Sequence, residues 1–433
     1  MRSIWQATAG TPCFPRLDGD VRTDVLIIGG GIAGILTAYF LGRSGVGCVL
    51  AEKGLVCSGT TGKTTAKITF QHGLNYHKIL KNRGAETARA YLDANRAAFD
   101  RYAGMCRTID CDWEERDNFV YSVSDRKALE DELGALARIG YDADFREDPD
   151  IPVKTVGAVR FPRQAQFHPL KFLAAVSSGL NIYENTFVRE MVGNTAVTDR
   201  GKIVADTVIA ATHFPFINKH GGYFLKLFQH RSYVVALGGA PLPDGMYVDE
   251  DKAGLSFRDY GGFLLLGGGG HRTGREGGCW DELRRFAKRN YPGAKERFYW
   301  AAQDCVSLDD VPYIGRYSNG TRNFFVASGF NKWGMTGAMT AAGILCDLAL
   351  GKKNEYAAVF DPSRSVLGKR LFANGFEAAK DLLTPSMKRC PHLGCALTWN
   401  RAERSWDCPC HGSRFAEDGT VLDNPANGYA GKI

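Results

Sequence analysis

The chain has 433 residues, 44% of them hydrophobic and 23% charged, with a formal net charge of +7. That suits two or three domains with a sizeable core and excludes fibrous or disordered classes. No run approaches the roughly eighteen apolar residues of a membrane span, no apolar leader opens the chain, and no basic run carries interleaved aromatics, so the expectation is a cytoplasmic protein with no transmembrane segment and no nucleic-acid partner.

The first element is a buried-strand run at 25–28. It turns through Gly29, Gly31 and Gly34 into an apolar helix at 32–42, and a second strand at 48–51 ends on Glu52. This order predicts a dinucleotide-binding βαβ unit. Gly29 serves the tight turn, Gly31 the approach of a pyrophosphate, and Gly34 close packing of helix on strand. The helix N-terminus at Ile32 and Ala33 faces the phosphates, and Glu52 takes a ribose hydroxyl pair. The next segment, CSGTTGKTTAKITFQHG, contains GKT, but position 57 is Cys where a P-loop needs its first Gly. It reads instead as a loop of small and hydroxyl residues along a long cofactor. Lys53, Ser58, Gly59, Thr60, Thr61, Gly62, Lys63, Thr64 and Thr65 are its candidate contacts.

A long polar-faced helix is predicted at 76–112 and a second helix at 125–140 with a glycine stop. A helix and a strand follow at 166–186. KIVADTVIAATHF reads as a strand, with Val188 before it and Ala211 at its end as candidate cofactor contacts. Residues 216–300 hold strands separated by Gly/Pro turns. LDDVPYIGRY (308–317) and NFFVASGFNKWGMTGAMTAAGILCDLALG (323–351) give a strand, a glycine turn and a long small-residue helix. A last helix, at about 366–383, leads to the tail.

Eight of twelve cysteines are scattered singly. The other four lie within 390–410, which calls for its own explanation. Cys390-Pro-His392 and Cys408-Pro-Cys410-His411 form C-x-H, fifteen residues, C-x-x-H. Such pairs suit zinc. The extra pair Cys395 and Cys410, the HGSRF run and the later DNPA (423–426) set the pattern apart.

Residues 21–362 resemble the FAD-dependent D-amino-acid oxidase, glycine oxidase and sarcosine oxidase superfamily, through the N-terminal fingerprint and the 308–351 motifs. The resemblance implies FAD. It also implies that Gly315, Gly329, Lys332, Trp333, Gly334, Met335 and Thr336 surround the flavin at a helix N-terminus. On residue pattern alone, the Gly334–Gly343 spacing would also serve simple helix packing. The tail resembles the Rieske [2Fe–2S] domain. This implies Cys390 and Cys408 on one iron, His392 and His411 on the other, a Cys395–Cys410 disulfide, and Pro425-Ala426 in the loop that covers the cluster. Ser413 is kept. Phe415 stands where high-potential relatives have Tyr. Only a cluster-binding lobe is expected, too small to be stable alone.

The expected fold is α/β: an FAD-binding Rossmann-like (glutathione-reductase-type) domain at 1–75, 156–215 and 304–362, an α+β substrate domain at 76–155 and 216–303, a linker helix at 363–387, and a Rieske lobe at 388–433. The expected activity is a dehydrogenase acting on C–N bonds of a small-molecule amine or amino-acid-like substrate. Electrons leave singly through the cluster to an external acceptor, a redox protein or quinone. The carboxylate-gripping Arg of the related oxidases falls on Asp304, which reverses the charge; Arg231, Arg258 or Arg272 would have to replace it. Asp304, His271, Arg272, Lys332 and His72 are the catalytic candidates. No lysine is assigned to oxygen activation. The alternatives are a flavoenzyme acting on an RNA-borne amine and an electron-transfer module without substrate; a Rieske oxygenase lacks a His/His/carboxylate trio.

Overall fold

The computed structural model describes residues 2–10, 12–217, 220–251, 254–366 and 369–430. The parts of the expected linker helix at 367–368 and of the lobe at 431–433 lie outside the described residues. The apolar strand Val21–Ile28 is the middle of a mainly parallel sheet. Cys48–Ala51 pairs on one side of it and Lys202–Ala210 on the other, with Phe324–Ser328 beyond. Strands buried on both faces need cover on both. Ile32–Arg43 and Gly334–Ala349 cover one face, burying Ile35, Leu36 and Leu41 from the first and Ala338, Ala341, Ala342 and Leu345 from the second against Val25 and Ile27; on the other face Leu26 and Ile28 meet Val188, Ala196 and Phe216. The run of alanines lets the second helix approach closely.

A second sheet of nine strands carries the antiparallel set Lys295–Ser307, Leu227–Gly238, Phe263–Arg272 and Ser256–Tyr260, continued through Met246–Asp249, Glu114–Ser122 and Gly157–Gln166. Here alternation decides burial: in Leu227–Gly238, Tyr233, Val235 and Leu237 face one cluster while Val234 and Ala236 face the other. The third sheet, Thr398–Asn400, Ser405–Asp407, Arg414–Phe415 and Val421–Asp423, is antiparallel and belongs to the tail.

Two expectations need correction. The helix expected at 76–112 spans Asn75–Cys106 and is broken at Gly84, where φ is 85° and ψ 170°; glycine takes that conformation without a Cβ clash. The stretch 216–300, read as strands separated by Gly/Pro turns, also forms a helix, Cys279–Asn290. Trp280, Leu283 and Ala287, at helical spacing, are its buried stripe. The helix Arg126–Arg138 falls where expected, capped by Asp125, whose carboxylate accepts from Ala128 N at 2.9 Å. Among the described residues, no helix is long and apolar enough to cross a membrane.

Candidate functional site: one cavity between two cofactor sites

A cavity of about 450 Å³ runs from the first glycine turn to the start of the helix Gly334–Ala349. At its first end Gly29 has φ 112°, and a Cβ there would lie 2.5 Å from the Ala211 carbonyl oxygen. A Cβ on Gly34 would lie 2.0 Å from the Gly29 oxygen. Gly34 therefore acts from behind the cavity, as a packing position. Glu52 lines the cavity and accepts from Gly30 N at 2.7 Å and Gly54 N at 2.9 Å. One carboxylate thus joins the glycine turn to the end of the second strand. Ile32 N, at the helix N-terminus, donates to Thr61 Oγ at 3.0 Å. This cradle fits the diphosphate and ribose of FAD: bare backbone, a helix N-terminus and an acid, at places a Cβ would fill.

Gly31, Ile32, Ala33, Lys53, Ser58, Gly59, Thr60, Thr61, Lys63, Thr64, Thr65, Val188 and Ala211 all line the cavity, as do Lys332, Trp333, Gly334, Met335, His72 and Asp304. Gly62 does not. It turns the loop against the Cys57 carbonyl, 2.4 Å from where its Cβ would be. Gly315, Gly329 and Thr336 are also outside the lining. Gly315 packs on Pro362, and Gly329, with φ 72°, packs on Leu227 and Ser307. Thr336 is buried and bonds the Thr69 carbonyl at 2.9 Å.

At the far end His72 stacks on Trp333 with ring centroids 5.3 Å apart. Its Nδ1 meets the Tyr91 hydroxyl at 2.7 Å; its Nε2 meets Thr336 Oγ at 2.9 Å and the Thr69 carbonyl at 3.0 Å. Burial holds its pKa down to about 3. With burial disfavouring the charged form, the ring is neutral and both its nitrogens are hydrogen-bonded. Lys67 also lines the cavity, with its pKa pushed down to about 7 by burial and by the Arg258 charge. Its two-residue strand, Lys67–Ile68, is too short to show in sequence periodicity.

The arginines reserved as carboxylate partners are all engaged elsewhere. Arg258 is buried against the Thr65, Ala66 and Asp259 carbonyls. Arg231 forms an ion pair with Glu403 of the tail, their side chains 3% and 4% exposed. Arg272 donates to the Pro409 and Cys410 carbonyls and to Asn374. Arg272 and His271 are therefore corrected: neither lines the cavity. The strand ends of Phe263–Arg272 are covered by the tail, which takes the Arg272 guanidinium, while His271 bonds the Tyr233 hydroxyl at 2.9 Å. No arginine is among the described residues lining the cavity; Asp304, held by Ser232 Oγ at 3.2 Å, is.

In the tail two loops repeat one plan. Cys390 N donates to the Cys395 carbonyl and Gly394 N to the Cys390 carbonyl; Cys408 N donates to the Ser413 carbonyl and Gly412 N to the Cys408 carbonyl. Gly394 and Gly412, at the same offset, have φ 81° and 79°. The Cys395–Cys410 disulfide ties the loops together, with Cα atoms 6.6 Å apart. Cys390 and Cys408 are buried, and the His392 and His411 rings lie 5.0 Å apart. Burial holds His392 down to about 4 and His411 to about 3, so both imidazoles are neutral, as ligands must be. The His411 Nδ1 is buried with no hydrogen-bond partner among the described residues. Two thiols, two neutral imidazoles and an orphaned ring nitrogen fit a Rieske [2Fe–2S] cluster.

The lobe closes on the cavity. Gln229 Nε2 donates to the His411 carbonyl at 2.8 Å and the Asn424 carbonyl at 2.9 Å; Gln303 Nε2 donates to the Gly412 carbonyl at 2.8 Å. The Asn424 amide reaches back to the Thr212 and Phe214 carbonyls. Leu422, Asp423, Asn424 and Asn427 line the cavity itself. Sequence reasoning missed Gln229, Gln303, Glu403 and Asn424. Each is polar and bonds a group more than a hundred positions away; of the four, Asn424 alone lies in a run the sequence singles out, DNPA, which does not reveal its partners Thr212 and Phe214.

This chain belongs to the FAD dependent oxidoreductase family, which matches residues 24–348, and carries a Rieske [2Fe-2S] domain over residues 376–430. Its cofactors are FAD and a [2Fe-2S] cluster. It is 33% identical to the Bacillus subtilis (strain 168) protein YhfW, named for a Rieske 2Fe-2S iron-sulfur centre, over 98% of this chain and 96% of that one. The fold resembles glycine oxidase from Geobacillus kaustophilus (TM-score 0.68, 19% identity, 80% of this chain and 100% of that one). It also resembles L-proline dehydrogenase from P. horikoshii (TM-score 0.66, 17% identity, 80% and 98%).

Proposed function

We propose that the protein is a dehydrogenase that oxidises the C–N bond of an amine or amino-acid-like substrate and exports the electrons one at a time. The observation that carries this reading is the shared cavity: flavin-site residues and the loop of the Rieske lobe wall the same space. When bound, FAD supplies two-electron acceptance from the C–N bond, and the cluster supplies one-electron transfer at a potential of roughly −150 to +300 mV.

On this reading Glu52, the glycine turn and the Ser58–Thr65 loop bind the cofactor, and Cys390, Cys408, His392 and His411 hold the cluster. Trp333 and Lys332 shape the reacting end, with His72 fixing the Trp333 plane. Asp304 attracts a cationic amine. Among the described residues no arginine lines the wall; Asp304 recognises the substrate's positive charge, and the cations on the same wall are lysines, Lys67 and Lys332 among them. Orientation and exclusion of water are what this apolar-walled space contributes to the reaction. The likeness to glycine oxidase and L-proline dehydrogenase supports the C–N chemistry. The division into flavin, substrate and cluster parts, with the segment 363–387 as linker, belongs to the same proposal.

Asp304→Asn is the test. With the best amine from a substrate panel, KM should rise about tenfold or more, the size of a charge-assisted contact of about 1.5–3 kcal/mol, while kcat falls less. An unchanged KM, or a preference for amino acids that survives the substitution, would remove Asp304 from substrate recognition.

A further inference from the structure

The helix Lys369–Leu383 packs one face against the cluster lobe and leaves the other bare. On the packed side Ala378 joins the buried cluster core, and its carbonyl lies 3.8 Å from Cys410 Sγ. The Asp381 carbonyl accepts from Ala396 N at 3.1 Å, and Asn374 is buried against Leu225 and Arg272. On the open side Phe372 and Phe376, one turn apart, are 74% and 71% exposed, and Leu383 is 80% exposed. Met387 continues the stripe, and Leu393 ends it at the tip of the first cluster loop. The helix end and that loop are joined: Arg389 donates to the Leu382 carbonyl at 3.0 Å and the Gly394 carbonyl at 2.7 Å.

Exposed apolar side chains repeated on one helix face, as Phe372, Phe376 and Leu383 are, mark an interaction site. Its charge narrows the partner. Arg370, Lys380 and Arg389 are exposed around the stripe. From 370 to 394 neither acid is exposed: Glu377 is half-buried against Arg275, and Asp381 is buried. Arg370 pairs with Asp310 at 2.8 Å, so the basic charge of the rim rests on Lys380 and Arg389. The two cluster histidines also point differently. His411 is buried against Phe214 and Phe224, outside the lobe, whereas His392 is half-buried between the exposed Pro391 and Leu393.

From this juxtaposition we infer that the Phe372–Phe376–Leu383–Leu393 face is the docking surface for a one-electron carrier protein with an acidic rim, seated beside His392. The inference rests on the export reading above. Each docking moves one electron: the carrier's oxidised centre is reduced by one, and the reduced cluster returns to its oxidised form with no bond made or broken. Two dockings discharge the two electrons taken from one substrate molecule, whose two protons go to solvent.

The test uses the holoprotein and two probes, an acidic blue-copper protein and a basic cytochrome c, with affinity measured calorimetrically at low and moderate salt. The acidic carrier should bind, the basic one should not, and binding should weaken as salt rises. Phe376→Ser and Leu393→Ser should each weaken it about tenfold or more, as for a central apolar contact, and Lys380→Glu should weaken it as well. Unchanged Rieske circular dichroism certifies that the variants are folded. Equal binding of both carriers, or variants that bind as well as the parent, overturns the inference. So does a dimer in sedimentation that Phe376→Ser dissociates, or binding to anionic lipid vesicles that Phe376→Ser abolishes. Flavin bleaching by an amine panel is read separately: its failure counts against the dehydrogenase reading, while the affinities still decide the docking face.

Discussion

Replacing Glu403 with Gln tests how firmly the cluster lobe is held over the cavity. Glu403 sits in the lobe, and its two oxygens face two guanidiniums. Arg231, from the nine-stranded sheet, donates Nε at 2.9 Å and makes a second, shorter contact; Arg414, from the lobe, donates at 2.9 Å. Arg414 keeps Asp407 and Asp423 after the change, each at 3.0 Å. Arg231 has no other carboxylate partner described, and its side chain is 3% exposed. Removing one partner of a buried pair costs about 3–5 kcal/mol, mostly the cost of the stranded charge. Because the pair crosses from the lobe to the nine-stranded sheet, that cost falls on docking. It corresponds to roughly two to four orders of magnitude in the population of lobe-open molecules. Native-state hydrogen exchange over the peptides of residues 389–430 reads this directly, with flavin-part peptides as the control. A double change, Arg231→Met with Glu403→Met, should recover most of the loss, since a buried pair is worth little against an apolar replacement. Burial alone would raise the Glu403 pKa, but Arg231 and Arg414 outweigh it and hold it below the ordinary glutamate range. With the folded value depressed, the docking contribution is complete above the unfolded value of about 4.3 and is lost as pH falls through the lower folded value. A change in opening below about 1 kcal/mol in Glu403→Gln would mean that the pair is solvated and the lobe is held by other contacts.

Glu52→Ala removes the acceptor for Gly30 N and Gly54 N and the ribose contact; FAD retained after gel filtration should fall at least about tenfold, as for a lost charge-assisted bond, and full retention would refute the assignment. His411→Ala should abolish the Rieske EPR signal yet leave flavin absorbance and its bleaching by substrate in place, because the ligands and the flavin-end residues belong to separate segments. Phe415→Tyr, at a fully buried position in the cluster core, should raise the cluster midpoint by roughly 40–60 mV if the new hydroxyl reaches a ligand sulfur, the equivalent of about 1–1.5 kcal/mol for one electron; film voltammetry checks this, and an unchanged midpoint would place the ring edge away from the sulfurs.

What the sequence makes legible is what local chemistry dictates. The strand–glycine–helix–strand–acid order needs Gly29, Gly34 and Glu52 at fixed spacing, and the structure uses each at short range. The tail is legible for the same reason: its ligands come as C-x-H and C-x-x-H at fixed spacing, while the glycines four residues after each ligand cysteine show their part only in the structure. The substrate side is less so. Arg231 and Arg272 invite assignment to a carboxylate, because nothing in their neighbourhood reveals Glu403 or the Pro409 carbonyl 172 and 137 positions away. Lys67 is hidden for another reason: its strand is two residues long, and its low pKa comes from burial by segments distant in the chain. The closure of the lobe over the cavity is likewise non-local, resting on amides such as Gln229 and Asn424 that any exposed loop would also carry.

The central claim is that one chain takes electrons from a C–N bond and delivers them through its own cluster. Anaerobic mixing of the holoprotein with an amine panel, following flavin absorbance and the Rieske EPR signal in the same sample, tests it most directly. The account predicts that an effective amine bleaches the flavin and that the reduced-cluster signal appears in the same reaction with no second protein added, with little peroxide formed when air is admitted alongside a one-electron acceptor. Flavin bleaching with the cluster left oxidised, or stoichiometric peroxide under those conditions, would contradict it.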